Sequence, residues 1–113
     1  MAVNVRALVE ATALDAAALT LYTAAERTRV IIDKVTLTNV DADAQAVSLY
    51  IVAAGETIDN YNRILATKNI AAGATYLCPE IVGHTLNPGD FIVSECSEGA
   101  TVNIRISGRE VVS

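Results

Sequence analysis

The chain has no tryptophan, one histidine, one phenylalanine, two prolines and two cysteines in 113 residues. Each scarcity removes a class of function. A general base or a metal centre is usually assembled around histidine with a positioned partner. The single His84, in Gly83-His84-Thr85, reads as a polar residue at a strand end. One histidine with the distant Cys78 and Cys96 cannot supply the four ligands of a zinc site. Two cysteines are also too few for a disulfide framework, and a reducing compartment keeps them as thiols. The two flank the Pro88-Gly89 turn, so a hairpin there brings them nearer, but cytosolic synthesis argues against a bond. Both read as small buried hydrophobes. Cys78 has no basic neighbour or helix N-terminus to activate it as a nucleophile.

Positive charge is sparse and dispersed. Eight basic against thirteen acidic residues give a net charge of −5, and Arg6, Arg27, Arg29, Lys34, Arg63, Lys68, Arg105 and Arg109 form no cluster. Such a surface repels a phosphate backbone, and five aromatic side chains offer few stacking platforms, so nucleic acid is not an expected partner. No apolar run approaches the roughly 20 residues of a membrane helix, and no cationic leader precedes an apolar stretch. The expectation is a protein without membrane contact, made in the cytosol. Asp41 and Asp43 share a turn, yet Asp-Ala-Asp-Ala-Gln lacks the glycine and distal glutamate of a calcium loop. With no phosphate loop or nucleophile elbow either, the chain is read as neither an enzyme nor a cofactor carrier.

What is abundant is β-branched: Val, Ile and Thr supply 34 residues, and such side chains suit pleated, half-buried surfaces. Short apolar runs separated by Gly, Pro, Asn and Asp give the pattern of a sandwich or barrel. The expected fold is all-β, an antiparallel β-sandwich of about eight strands forming one domain over residues 1–113.

The strands are read in order. Val3 to Val9 alternates, with Val3, Val5, Ala7 and Val9 on one face, and residues 1–9 are either an edge strand or an N-terminal arm. Ala17 to Thr23 favours strand, although Leu8 to Ala25 is alanine-rich enough for a helix. Arg29 to Asn39 is the strongest strand, with a bulge expected near Asp33. A turn over Asn39 to Gln45 leads to a strand with Val47, Leu49, Ile51 and Ala53 on one side and Ser48 and Tyr50 on the other, and the two strands read as a hairpin.

Ala54 to Arg63 is the longest irregular stretch and reads as a surface loop. Extended structure resumes to Ile70. Ala71-Ala72-Gly73 turns the chain, and Thr75 to Val82 reads as a strand interrupted at Pro79, hence at an edge or bulged. Asn87-Pro88-Gly89-Asp90 fits a type II turn. Phe91 to Ser97 and Thr101 to Ser107 complete the set, with a bulge expected at Gly108 before Glu110 to Val112.

Adhesion is the function left open, and the candidate contact residues are Val3, Val5 and Leu8 in the first strand and Ile58, Asn60, Tyr61 and Asn62 in the loop. Tyrosine is enriched at interface cores, and an edge strand can add to a neighbouring subunit's sheet. Tyr61 reads equally as a lid on the domain's own edge. A different class, a carbohydrate-binding module, would use Tyr61 as an aromatic platform beside Asn60 and Asn62.

Six stretches carry a resemblance. Leu21-Tyr22-Thr23, Arg29 through Asn39, and Val47-Ser48-Leu49-Tyr50 are followed by Ile70 through Leu77, Leu86 through Asp90, and Asn103 through Gly108. In these segments the chain resembles small virion proteins of tailed bacteriophages. The resemblance implies a jelly-roll-like sandwich acting as a capsid cement or decoration protein. It further implies the major capsid protein or other virion subunits as partners, a homodimer or homotrimer, and residence in the virion after synthesis in the host cytoplasm. A tail or head-to-tail accessory subunit is the neighbouring expectation. Leu8 to Ala18 and the Tyr61 loop match the pattern least.

Overall fold

The computed structural model describes residues 2–113. Nine strands run in the order β1 (Ala2–Ala13), β2 (Leu19–Thr23), β3 (Thr28–Asn39), β4 (Gln45–Val52), β5 (Arg63–Ile70), β6 (Thr75–Tyr76), β7 (Thr85–Leu86), β8 (Phe91–Cys96) and β9 (Val102–Val112), with one 3₁₀ turn at Asn60–Asn62. They form two antiparallel sheets. One has the order β1-β9-β3-β6 with β7 also on β3, and the other β2-β8-β4-β5. Strands β1 to β4 alternate between the sheets, β5 pairs beside β4, and the sheet orders are those of the double Greek-key winding of a jelly roll. The all-β sandwich expected from composition and alternation is the fold observed.

The core lies between the sheets, where Val30, Ile32, Val35, Leu37, Ile104 and Ile106 of the first face Val47, Leu49, Leu65 and Ile92 of the second. These side chains occupy alternate positions, so each strand presents one apolar stripe. The second sheet also buries part of its outer face. Tyr50, Val52 and Val93 form a separate small cluster there, closed by Ile58 from the loop and by Phe91.

Four local expectations are corrected. The strands 29–39 and 47–53 are not a hairpin, because β3 and β4 lie in opposite sheets. The crossing is organised by buried Asn39, whose Nδ2 donates to the carbonyls of Asp43 and Ile70, both at 2.9 Å, while its Oδ1 accepts from the Asp41 amide at 2.9 Å. A polar side chain tying three segments together turns the chain over the end of the sandwich instead of back beside itself.

The run from Thr75 to Val82 is a strand only at Thr75–Tyr76; Cys78 has φ +44° and turns follow it. β6 and β7 pair with opposite ends of β3, forming an edge strand broken in its middle where Pro79 lacks a ladder donor. Gly108 is not itself a bulge. The extra residues sit on its neighbours, Leu8 in β1 between Ala7 and Val9, and Asp33 in β3 between Ile32 and Lys34, the latter as expected. The bulge at Leu8 also overturns the reading of Val3, Val5 and Val9 on one face. Val9 pairs with core-facing Ile106, whereas Val3 and Val5 pair with Val111 and Arg109. The strand favoured over Ala17 to Thr23 is observed, as β2 at Leu19–Thr23, and β1 continues to Ala13, so Leu8 to Ala25 holds no helix.

Candidate functional site

Two surfaces emerge from this frame. The first is the β1 margin. Among the described residues β1 pairs with β9 alone, so its other backbone edge has no partner strand in the sheet. From Ala2 to Ala7 the register is unbroken, and Val3 and Val5 project outward at 54% and 79% exposure. Unpaired strand edges are templates for another chain, and natural proteins usually blunt them with bulges and charge. β1 carries both further along: two register shifts lie between Ala7 and Thr12. Arg6 pairs with Glu110 at 3.3 Å, and Glu110 accepts a hydrogen bond from Tyr22 of the opposite sheet. The regular, apolar portion is therefore confined to the strand's first six described residues.

The second surface is a groove of about 400 Å³ beside the 53–62 loop, lined by Tyr50, Ile58, Asp59, Asn60, Arg63 and Glu95. Its base is a three-strand relay. Arg63 on β5 donates to the Tyr50 hydroxyl on β4 through Nε at 3.1 Å and Nη2 at 2.6 Å, and that hydroxyl donates to Glu95 on β8. The guanidinium also lies 5.1 Å from the Tyr50 ring centroid, a cation–π distance. Burial, then the hydrogen bond to Glu95, raises the Tyr50 pKa above the usual phenol value, so the ring stays neutral at physiological pH.

The rim of the groove is set by a capping box. Asp59 accepts from the Asn60 amide at 2.6 Å, and Asn62 Oδ1 accepts from the Asp59 amide at 2.9 Å. Asn62 Nδ2 further donates to the Thr57 carbonyl. These bonds fix the loop as one rigid turn.

The sequence candidates thus fall into different environments. Val3 and Val5 share an exposed strip on β1. Leu8 is 6% exposed and belongs to the chain's own core, because the bulge turns it inward. Ile58 is half-buried against the Tyr50 cluster, and Asn62 is buried as a cap. Asn60 lines the groove. Tyr61 is 71% exposed and donates to Glu56, standing outside the groove lining. Tyr50, Arg63 and Glu95 were missing from the sequence reading; they come from three strands, and only the sheet order places them together.

The remaining chemical candidates stay isolated. Cys78 and Cys96 are buried and unpaired, and burial pushes the Cys78 thiol up to about 11. His84 is exposed in a turn whose backbone bonds to Ile32 and Ile81. Asp41 accepts from Gln45 Nε2 at 2.8 Å. Among the described residues no group of three His, Cys, Asp or Glu side chains could hold a metal ion.

No family model matches the chain, and no curated protein matches it. Among solved structures it is similar to a chain from Bacillus endospore appendages, described as a novel family of disulfide-linked pili, at 12% identity and a TM-score of 0.56, covering 97% of this chain and 88% of that one. A chain from the structure of infectious bursal disease virus, Gx strain, aligns at 13% identity with a TM-score of 0.38, covering 98% of this chain and 42% of that one. At such identity the appendage subunit shares with this chain a fold, the two-sheet β-sandwich.

Proposed function

We propose that this chain is a structural protein that works by adhesion, and that within this class it is a virion protein of a tailed bacteriophage, of the capsid cement or decoration kind. The observation carrying the reading is the β1 margin: a long edge strand whose regular half exposes Val3 and Val5 beside an unpaired backbone. A strand added there gains main-chain hydrogen bonds along the edge and apolar contact on one face. A stable contact buries on the order of 1,200–2,000 Å², more than this strip alone provides, so the neighbouring sheet face would also be covered. Many copies over a shell sum modest individual energies. The likeness to a pilus subunit supports the reading to this extent, that a sandwich of this fold serves elsewhere as a building block.

The test is to assemble virions with and without the chain and melt them in parallel. Particles carrying it are expected to withstand higher temperature, with copies numbering in the hundreds. Equal melting removes the cement role, and a few to a few tens of copies per particle would assign the chain to the tail or the head-to-tail junction.

The groove favours a second reading, a carbohydrate-binding module. Asp59, Asn60, Arg63 and Glu95 line an open, mostly polar groove and offer hydrogen-bonding groups suited to sugar hydroxyls. Tyr50, 2% exposed with Arg63 over its ring, presents no stacking face, so these polar groups would carry the contact with a sugar. A glycan array without signal would dismiss it.

A further inference from the structure

The two ends of the sandwich differ in charge. The long strands run the length of the 46 Å molecule, with Thr28 opposite Val112 at one pole and Asn39 opposite Val102 at the other. At the first pole a cavity of about 620 Å³ opens between the start of β3, the end of β9 and the 87–90 turn, lined by Arg27, Arg29, Asn87, Pro88, Val111 and Ser113. Among the described residues neither Arg27 nor Arg29 forms an ion pair, whereas Arg6 and Arg109 both do. Pro88 and Val111 supply the apolar part of its lining. The pole is not purely basic, since Glu26 adjoins Arg27, and Asp90 is held by the amides of Ala54 and Asn87.

The opposite pole carries the complement. The 40–43 turn presents Val40, 60% exposed, next to Asp41 and Asp43. Gln45 Nε2 donates to Asp41 Oδ2 at 2.8 Å and to Glu98 Oε2 at 3.2 Å, holding two carboxylates on one side chain, and Ser97 Oγ in turn donates to Gln45 Oε1 at 2.6 Å. No ion pair neutralises these acids among the described residues. One pole is thus a partly apolar groove rimmed by two free guanidiniums. The other is a turn with one exposed apolar side chain, Val40, beside the carboxylates of Asp41, held by Gln45, and of Asp43.

We infer that the occupant of the Arg27–Arg29 groove is the 40–43 turn of a second copy of this chain, with Val40 against Pro88 and Val111 and the carboxylates of Asp41 and Asp43 on the two guanidiniums. Arg fits carboxylates by a planar, forked donor set, which gives this contact direction as well as charge. Because the two surfaces differ, the interface is heterologous: copies join head to tail and either close into a ring or continue as a chain. The arrangement also answers the net charge of −5, since it brings unlike poles together while the like-charged bodies stay apart. The inference rests on the adhesive reading above and specifies how copies meet each other, not how they meet a particle.

The test is sedimentation of the purified full chain across concentration at low and high salt. Complexes of two or more copies are expected at low salt and are expected to dissolve as added salt shortens the Debye length to a few ångströms. Arg27→Glu/Arg29→Glu and Asp41→Asn/Asp43→Lys are each expected to weaken association at least tenfold while keeping the wild-type melting temperature. An equimolar mixture of the two variants is expected to associate again and to extend beyond pairs, since the groove variant's intact turn fits the turn variant's intact groove and the reversed groove and reversed turn also attract. Arg27→Gln/Arg29→Gln guards against misfolding: alone it should weaken association, and mixed with the turn variant it should form only pairs, through its own intact turn in the turn variant's intact groove. A wild-type chain that stays monomeric at every salt concentration overturns the inference, as does association unmoved by the charge reversals or a mixture that fails to recover. Virion binding by the wild-type chain separates the two ideas: a wild type that is monomeric yet binds and stabilises particles sinks the head-to-tail contact alone, and a self-assembling wild type that binds no particle sinks the virion reading alone.

Discussion

A Cβ on Gly108 would lie 2.4 Å from the carbonyl oxygen of Ile31 and 2.7 Å from Leu8 Cδ1. β9 is flanked here by bulges on both neighbours, and the extra residue on β1 drives the Leu8 side chain across the place where a side chain on β9 would stand. Gly108→Ala is therefore expected to cost about 3 kcal/mol, at the upper end of overpacking penalties, since the Ile31 backbone cannot swing aside as a side chain can. In a domain of this size that lowers the melting temperature by roughly 10–20 °C. Chemical denaturation of the variant measures it, and a loss below about 1 kcal/mol would mean that the strands slide apart at little cost.

Gly108 also shows what was legible beforehand. Its presence marked an irregularity in the last strand, but a one-dimensional pattern cannot say whether the glycine bulges or makes room for a bulge next door. The core stripes of β3 and β9 could be read because each alternates over a face that is buried on one side only. Strand partnership could not be read. β3 and β4 are adjacent in sequence and complementary in pattern, and it is the buried Asn39 side chain that sends them to opposite sheets. The β1 alternation was misread for a similar reason: one inserted residue reverses every face beyond it. Two consecutive apolar residues, Leu8-Val9, were the only local hint.

Ser94 Oγ is buried without a hydrogen-bond partner, on β8 between Leu19 of β2 and Leu49 of β4. An unpaired buried hydroxyl retains its desolvation cost, so Ser94→Ala is expected to stabilise the fold by about 1 kcal/mol. The hydroxyl's removal leaves a gap smaller than a methyl group. Urea melts of the two proteins decide the sign, and destabilisation beyond about 1 kcal/mol would show that the hydroxyl is bonded after all, through water.

The phenols set an alkaline limit. Tyr22 is raised well above the ordinary value by burial and by its bond to Glu110, and Tyr50 by burial and Glu95. Tyr76 is pushed up to about 12 by its bonds to Glu80, at 2.5 and 2.6 Å. The fold favours each neutral phenol over its anion, so the associated stability is whole below about pH 10, the unfolded tyrosine value, and is lost as pH rises through the higher folded values. Tyrosinate absorbance should therefore lag behind that of a model peptide and then rise together with unfolding. Tyr22→Phe should flatten the alkaline fall in stability. Titration of all four tyrosines near pH 10 with the fold intact would contradict the relay geometry.

Val3, Val5 and Leu8 form the sharpest contrast, because three apolar residues of one strand are assigned two kinds of work. Val3 and Val5 stand in solvent, and Val3→Thr/Val5→Thr keeps the β-branching that suits a strand, so the melting free energy should move by no more than about 0.5 kcal/mol. If the β1 margin is the adhesive surface, the same double substitution should weaken binding to its particle about tenfold, equivalent to about 1.4 kcal/mol. Leu8→Ala should do the reverse, removing about 2–4 kcal/mol of stability by opening a cavity between β1 and Gly108. Folded Leu8→Ala protein should still bind with near-normal affinity, as the exposed strip is untouched. Co-sedimentation with particles, read beside thermal melts, separates the two effects. Binding that survives the loss of both valines would move the adhesive surface off β1.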